Sequence, residues 1–377
     1  MIESPGFLLT VLAFALVIGP LIFVHEMGHY LAGRWFGVHA EAFSIGFGRE
    51  VAGFTDARGT RWKFGWMPLG GYVKFAGDMG PASATDPAWL TLPPAERART
   101  FQSKPVWQRA LIVAAGPAVN FLLAILILMG FAVAYGESKT PTIIGKLVPN
   151  SAAAAAGLAP GDRIMSLGGR SVDTFDDMVR YVQIRAGEPV AVVYARGDAT
   201  LRRDVTIGSQ LVRDRFGGEH RIGLLGVSPT APVYVPVSLI AAPGIAVRRT
   251  GEIVTMMVET LTQVVTGRRS VKELGGPISI AKVSGQQMAL GIPEFVFLIA
   301  LISINLGFIN LLPVPMLDGG HLLFYAIEAV KGGPVGPNAQ EWAFRGGLLA
   351  VLALMVLVTF NDLASLGVWR GLAGLIG

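Results

Sequence analysis

The chain has 377 residues, of which 52% are hydrophobic and only 15% are charged, and its mean hydropathy is +0.54; since soluble domains carry about 25% charged residues, this composition predicts a membrane protein. The absence of cysteine excludes disulfides, thiolate zinc sites and cysteine nucleophiles. The net charge of +5 does not predict a nucleic-acid partner, because the basic residues lie mainly in loops beside apolar runs, where they set membrane topology.

Four apolar stretches approach or exceed the roughly 20 residues that a bilayer span needs. They cover residues 7–24, 110–135, 295–317 and 346–360 with its continuation. We expect the first to be a retained span rather than a signal peptide, because no basic residue precedes it and no small-residue cleavage site follows it. Ten basic residues lie between the first two spans, which predicts that this loop is cytoplasmic and that both termini and residues 137–294 lie outside. The basic stretch Gly267–Lys272 runs against this orientation.

The first span, in a segment of residues 1–36, ends in an H-E-x-x-H motif. On a helix, His25 and His29 share one face and can bind one metal ion, while Glu26 can take a proton from metal-bound water. Zinc is the predicted cofactor, because it lowers the pKa of bound water to about 7. The alternative is a polar helix end that reaches toward the membrane interface.

Residues 37–106 form the next segment, in which residues 43–54 and 60–75 alternate apolar with small or polar residues, as the strands of a hairpin do. Trp62, Trp66 and Tyr72 can belong either to this membrane-associated hairpin or to an aromatic belt at the membrane interface. The second span follows in residues 107–136.

Residues 137–230 have the pattern of a small α/β domain. A strand at 142–148 precedes a G-L-x-P-G-D turn, and a helix at 173–185 has Asp173 or Thr174 as its cap, followed by alternating strands. This order resembles a PDZ domain, which binds an extended peptide by strand addition. A β-rich spacer without a ligand is the alternative.

Residues 231–292 form a linker with a helical pattern at Ile245–Val265. Its apolar residues recur at helical spacing, with charges on the other side, so the helix is expected either on the outer membrane surface or packed on the PDZ-like domain. The predicted apolar row is Val247, Val254, Val258, Leu261 and Val265.

A third metal ligand is expected from the third transmembrane segment, residues 293–331, which contains "NLLPVPMLDGGHLLF". The fourth span lies in residues 340–377. Pro313 and Pro315 cannot continue a helix, and unwound backbone at membrane depth is tolerated only in protein or beside a watery cavity. Asp318 is the favoured ligand, because a carboxylate at this depth needs a cation, and His321 is the alternative one turn further.

The paired motifs "HEMGH" and "NLLPVPMLDGG" closely resemble those of the site-2 protease family of intramembrane zinc metalloproteases. Gly116–Asn120 matches the family's G-x-x-x-N element. The family's bacterial branch, the regulator of sigma E protease type, is matched by Pro68–Phe75, Gly275–Lys282 and the PDZ-like domain. One departure is that several enzymes of that branch carry two PDZ domains, whereas this chain has room for one.

The resemblance implies a role for eight residues. Asn120 and Asn310 would hold the scissile peptide or an oxyanion, although each can equally join helices within the bundle. The glycines of the hairpin would lie where a sheet edge receives the unwound substrate. The implied zinc ligands are His25, His29 and Asp318, the general base or acid is Glu26, and the substrate or oxyanion residues are Asn310, Asn120, Gly70 and Gly71.

The predicted fold is therefore a polytopic α-helical membrane protein with about four transmembrane helices, an inserted extracytoplasmic PDZ-like α/β domain and a membrane-associated β-hairpin region. The resemblance implies a zinc endopeptidase of the bacterial inner membrane that cuts single-pass proteins, such as trimmed anti-sigma factors or remnant signal peptides, near the cytoplasmic side. Its expected partners are a transmembrane substrate, the lipid bilayer and a peptide C-terminus at the PDZ domain. A membrane scaffold and an ion transporter are the alternatives.

Overall fold

The structure is a computed structural model that describes residues 6–77, 90–213, 219–268 and 275–365. Both chain termini and most of the basic stretch Gly267–Lys272, which runs against the predicted orientation, lie outside the described residues. The chain forms two compact units: Met1–Met129 with Ala246–Gly377, and Gly130–Ile245.

The described residues form ten helices and twelve strands. The helices are α1 (Phe7–Trp35), α2 (Pro94–Arg97), α3 (Val106–Tyr135), α4 (Ala152–Ala155), α5 (Phe175–Gln183), α6 (Ala242–Val265), α7 (Pro277–Leu290), α8 (Ile292–Asn310), α9 (Asp318–Lys331) and α10 (Pro337–Ser365). The strands are β1 (Ala40–Thr55), β2 (Arg61–Phe75), β3 (Glu137–Lys139), β4 (Ile144–Leu147), β5 (Arg163–Leu167), β6 (Arg170–Ser171), β7 (Pro189–Arg196), β8 (Ala199–Thr206), β9 (Gly208–Arg213), β10 (Glu219–Leu224), β11 (Val227–Pro229) and β12 (Val233–Val235).

Within the described residues, four helices are long and apolar enough to cross a membrane: α1, α3, α8 and most of α10. The four predicted spans fall on these helices. Two helix ends differ from the ends of the apolar stretches: α1 continues past residue 24 to Trp35, within the predicted segment 1–36, and α8 ends at Asn310, before the segment that the prolines were predicted to keep non-helical. The early end of α8 follows from Pro313 and Pro315, which lack the backbone N–H that a continuing helix needs.

Helix α1 is held by different partners along its length. In its first half, the buried Ala13, Val17 and Leu21 recur every fourth residue and pack against Phe295 of α8. In its second half, Tyr30 belongs to a cluster with residues of the β1–β2 sheet and Ile112 of α3. The segment between these two contacts carries the H-E-x-x-H motif, which is therefore fixed on both sides.

Strands β1 and β2 are the predicted hairpin, and they bend so that each contributes two segments to one sheet. Ser44 pairs with Tyr72 and Ile45 with Gly71, while Trp62 lies beside both Phe43 and Phe54. Trp62 stacks on Phe43 with ring centroids 4.5 Å apart, so it packs in the sheet's aromatic cluster rather than in a separate belt. The segment at residues 71–75 pairs with β1 along one side only among the described residues.

The second unit, the predicted PDZ-like region, has an α/β fold with its own core. Strands β6, β5, β7 and β8 form an antiparallel sheet in that order, and buried residues of the sheet and of α5, such as Ile164, Tyr194 and Met178, pack together. Thr174 is the cap of α5, in a reciprocal capping box with Asp177, which decides between the two predicted caps.

The helix predicted at Ile245–Val265 is α6, and of the predicted apolar row Val254 packs against neighbouring helices while three other members are exposed. Val247, Val258 and Val265 are exposed. The residues of α6 that pack against the cluster of α3 and α8 are Ala246, Ile253, Val254 and Met257. Its packing partners are therefore two helices of its own unit, which neither predicted arrangement included.

Candidate metal centre

The two histidines of the motif lie one turn apart on α1 and face the same direction, as a spacing of four residues dictates. Their Nε2 atoms are 3.3 Å apart, and both side chains are about 90% buried. Each ring also has a polar contact at Nδ1 on the neighbouring helix α3. His29 Nδ1 lies 3.0 Å from the carbonyl oxygen of Ile112, and His25 Nδ1 lies 3.1 Å from the side-chain amide of Asn120.

Asp318 reaches the same point from the other side of the unit, as the first residue of α9. The non-helical segment Leu311–Leu317 leads to it, and Met316 in this segment has φ +87°, a backbone conformation that costs a non-glycine residue about 1–3 kcal/mol. Gly319 and Gly320 let α9 begin directly against this segment, because a Cβ atom at either position would overlap its carbonyl groups. Asp318 Oδ2 lies 3.2 Å from His25 Nε2 and 3.5 Å from His29 Nε2.

These three atoms fit a zinc ion. At zinc–ligand distances of about 2.0–2.1 Å, two ligand atoms of a tetrahedral site lie about 3.3–3.4 Å apart, and the three observed separations are 3.2, 3.3 and 3.5 Å. Asp318 Oδ2 is buried, and the histidine Nε2 atoms beside it cannot donate hydrogen bonds to it when they carry the lone pairs that bind a metal. A buried carboxylate oxygen rarely tolerates this without a cation. Three protein ligands leave a fourth position open, as in catalytic zinc sites.

Glu26 follows His25 on α1 and is 8% exposed. The backbone of Gly71, in the sheet segment at residues 71–75, lies against it: a Cβ atom there would come within 2.9 Å of Glu26 Cγ. Gly70 has φ +83° and faces the ring of Phe47 instead. The structure therefore brings Gly71, but not Gly70, against the side chain of Glu26 beside the candidate metal ligands.

The remaining predicted residues have separate surroundings. Asn310 is the last residue of α8, and its Nδ2 donates a hydrogen bond to the carbonyl of Leu306 in the same helix at 3.0 Å. His321, the alternative third ligand, packs its ring against Phe344 of α10 with centroids 5.1 Å apart. Among the described residues the group that could hold a metal ion consists of His25, His29 and Asp318.

Sequence reasoning missed the contribution of Ile112, because a main-chain carbonyl has no sequence signature. Ser303 of α8 was also missed. Its hydroxyl donates to the backbone carbonyl of Asn120 at 2.8 Å and joins α8 to α3 beside the centre.

The sequence profile of Peptidase family M50 matches residues 13–354. A protein of Agrobacterium fabrum described as a candidate zinc metalloprotease is 45% identical over 361 residues, covering 94% of this chain and 96% of the relative. Metalloprotease MmpA of Caulobacter vibrioides is 36% identical over 394 residues, covering 98% of this chain and 99% of the relative.

Among solved structures, the PDZ domain of the SdrC-like protein Lmo2051 from Listeria monocytogenes matches 24% of this chain and 88% of its own length. The identity is 18% and the TM-score 0.19. A PDZ domain of the corresponding Listeria innocua protein matches 25% of this chain and 99% of its own length, at 17% identity and the same TM-score. At this score the likeness supports no statement about function.

Proposed function

Because the chain belongs to Peptidase family M50 and is a zinc metalloprotease of the membrane, we propose that it is an intramembrane endopeptidase that hydrolyses peptide bonds within the transmembrane segments of single-pass proteins. One observation carries the proposal. Nitrogen atoms of His25 and His29 and an oxygen of Asp318 converge within 4.8 Å of one another, and the two histidines belong to a helix long and apolar enough to cross a bilayer.

The proposed roles follow from this arrangement. The Nε2 atoms of His25 and His29 and the Oδ2 atom of Asp318 hold the zinc ion. When bound, zinc polarises the peptide carbonyl and lowers the pKa of coordinated water to about 7. The Glu26 carboxylate takes the proton of the attacking water and returns it to the departing amide nitrogen. One C–O bond forms, one C–N bond breaks, and water is the only cosubstrate.

Water needs a route to a centre among apolar helices. The non-helical segment Leu311–Leu317 supports such a route, because unwound backbone at membrane depth is stable only within protein or beside a watery cavity. Leu311 and Met316 in this segment are 42% and 37% exposed. The polar backbone of the segment would then line the path to Asp318.

Substrate would be held by strand addition to the sheet segment at residues 71–75. A transmembrane helix hides its peptide bonds in its own hydrogen bonds, so it must unwind before hydrolysis, and an added strand both unwinds and holds it. The contact of Gly71 with Glu26 supports this role, because it would bring the added strand close to the general base. Asn310 lies at the end of α8, from which its amide could reach a bound peptide after leaving Leu306.

The orientation follows from the basic loop between α1 and α3. If that loop is cytoplasmic, α1 begins on the periplasmic side at Phe7 and ends on the cytoplasmic side. His25 lies 18 residues after Phe7, which is about 27 Å along a helix of 1.5 Å rise per residue, so it lies nearer the cytoplasmic side. The chain would lie in a bacterial inner membrane with both termini and the PDZ-like region periplasmic. Trimmed anti-sigma factors and remnant signal peptides are the proposed substrates, and a free peptide C-terminus is the proposed ligand of the PDZ-like region.

The test is Glu26→Gln in the full chain, purified in detergent and given a single-pass test substrate. Loss of a general base lowers the rate about 10²–10⁴-fold, while zinc content and thermal stability stay unchanged. Glu341→Gln is the matched control, because Glu341 is exposed and its ion pair among the described residues is with Arg345, one turn away on α10. Undiminished cleavage by the Glu26 variant contradicts the proposed mechanism.

A further inference from the structure

One row of α3 faces both histidines of the metal centre. Ile112, Gly116 and Asn120 follow one another at four-residue spacing, so they share one face of the helix. The carbonyl of Ile112 contacts His29, the side chain of Asn120 contacts His25, and Gly116 lies against the His29 ring, which a Cβ atom there would overlap. The two outer members of the row thus each meet the Nδ1 atom of one histidine.

The chemistry of His25 decides what Asn120 must offer. His25 Nε2 faces Asp318 and His29, so binding a metal through Nε2 requires a lone pair there. In a neutral imidazole the proton then sits on Nδ1, which becomes a hydrogen-bond donor. His29 has the matching arrangement, since its Nδ1 faces a carbonyl oxygen that can only accept. The partner of His25 Nδ1 must likewise be an acceptor.

The Asn120 side chain can supply that acceptor. Its Nδ2 atom faces His25 Nδ1, and its Oδ1 atom is buried without a partner among the described residues. A half turn about the Cβ–Cγ bond exchanges the two atoms and places Oδ1 opposite the Nδ1–H group. The exchange gives the unpartnered Oδ1 atom a donor, so the requirement of His25 decides the orientation.

Asn120 is also held in place. The residue is completely buried, and its backbone carbonyl accepts a hydrogen bond from Ser303 Oγ of α8. Gly28 of α1 lets the two helices approach closely here, because a Cβ atom at that position would meet the carbonyl of Ala115. A buried, fixed side chain beside a ligand is suited to orienting that ligand.

We propose that Asn120 is a positioning residue for the metal centre: its amide oxygen accepts a hydrogen bond from His25 Nδ1–H and keeps the Nε2 lone pair directed at zinc. The G-x-x-x-N element of α3 is then an outer shell of the centre, in which Gly116 makes room for His29 and Asn120 orients His25. This assignment rests on the proposed role of His25 as a ligand, and it replaces the predicted contact of Asn120 with substrate.

The experiment measures zinc dissociation from the full chain in detergent by competition with a chelator, together with the visible spectrum of the cobalt-substituted protein. Asn120→Leu removes the acceptor at similar size, and zinc affinity falls 10–100-fold, as for other outer-shell partners of metal ligands. Asn120→Asp keeps an acceptor, so zinc affinity stays within about threefold and the cobalt spectrum is retained. Gly130→Ala, in the same helix and with no atom of the described residues within 4 Å of the added Cβ, leaves zinc affinity unchanged.

Three results overturn the assignment. The first is wild-type zinc affinity in Asn120→Leu, and the second is an equal loss of zinc affinity in Asn120→Leu and Asn120→Asp. The third is loss of cleavage in both variants while zinc is retained, which would make Asn120 a substrate residue. His25→Ala separates this failure from failure of the proposed function. If His25→Ala keeps its zinc, the ligand assignment itself is wrong. If His25→Ala loses zinc and Asn120→Leu does not, only the outer-shell role is wrong.

Discussion

Replacing Gly116 with alanine tests how closely α3 fits the metal centre. A Cβ atom at this position would lie 2.5 Å from Cε1 and 2.9 Å from Cδ2 of His29, and it would also overlap Nε2. Carbon atoms pack at about 3.5–4.0 Å, so the imidazole has to move by about 1 Å. A zinc site tolerates deviations of about 0.2 Å in its ligand distances.

The expected magnitude follows from two losses. A shift of about 1 Å lengthens the 3.0 Å contact between His29 Nδ1 and the Ile112 carbonyl beyond hydrogen-bond range, which alone lowers zinc affinity about 10–100-fold. Displacement of Nε2 weakens the ligand bond as well. We therefore expect zinc affinity to fall at least about 100-fold, or roughly 2.7 kcal/mol, with a parallel loss of cleavage.

Gly130→Ala is the matched control, because Gly130 lies in the same helix and no atom of the described residues stands within 4 Å of its added Cβ. Alanine favours a helix over glycine by about 1 kcal/mol, so helix propensity changes equally in both variants. Chelator competition and cleavage are measured on both. Equal zinc affinity and equal cleavage in the two variants would refute the close fit of α3 against His29.

Three further predictions concern other parts of the molecule. Asp318→Asn abolishes stoichiometric zinc binding, whereas His321→Gln retains it, because His321 packs on Phe344 outside the ligand group. Mass spectrometry measures the zinc content of both variants, and loss of zinc in both speaks against Asp318 alone as third ligand. Asp362→Ala lowers the melting temperature in detergent, because its carboxylate accepts hydrogen bonds from the backbone N–H groups of Gly276, Ile278 and Ser279 at the start of α7. A lost cap costs about 1–2 kcal/mol, and Ser279→Ala, which removes one contact, costs less. In the PDZ-like region, the hydrogen bond from Arg196 holds the pKa of Asp162 below its usual range. The stability that the Asp162 carboxylate adds is therefore complete above the unfolded pKa of about 3.9 and is lost as pH falls through the lower folded value. Circular dichroism of the acid transition measures this dependence, and an unchanged acid transition in Asp162→Asn contradicts it.

Local rules predicted the parts of the centre that lie close together in sequence. The spacing of His25 and His29 determines a shared helix face whatever the rest of the fold does. Pro313 and Pro315 likewise predicted the end of α8, since the missing N–H groups act locally. The choice between Asp318 and His321 needed the direction of α9, which depends on the backbone of Met316 and on the close approach at Gly319 and Gly320.

The contacts between helices could not be predicted in this way. The role of Asn120 depends on the register of α3 against α1, and no local pattern encodes that register. The packing of α6 on α3 and α8 was missed for a physical reason: in a membrane, small residues mark the packing side of a helix and large apolar residues can face lipid. Ala246 therefore packs on α3 and α8, while Val247 and Val258 are exposed.

The most direct test of intramembrane hydrolysis is to identify the cut bond. The full chain is reconstituted into liposomes with a single-pass test substrate, and the products are mapped by mass spectrometry. The account predicts a cut inside the substrate's hydrophobic segment, toward the cytoplasmic side, that disappears with Glu26→Gln. Cuts confined to the water-exposed flanks, or cuts that persist in that variant, would contradict it.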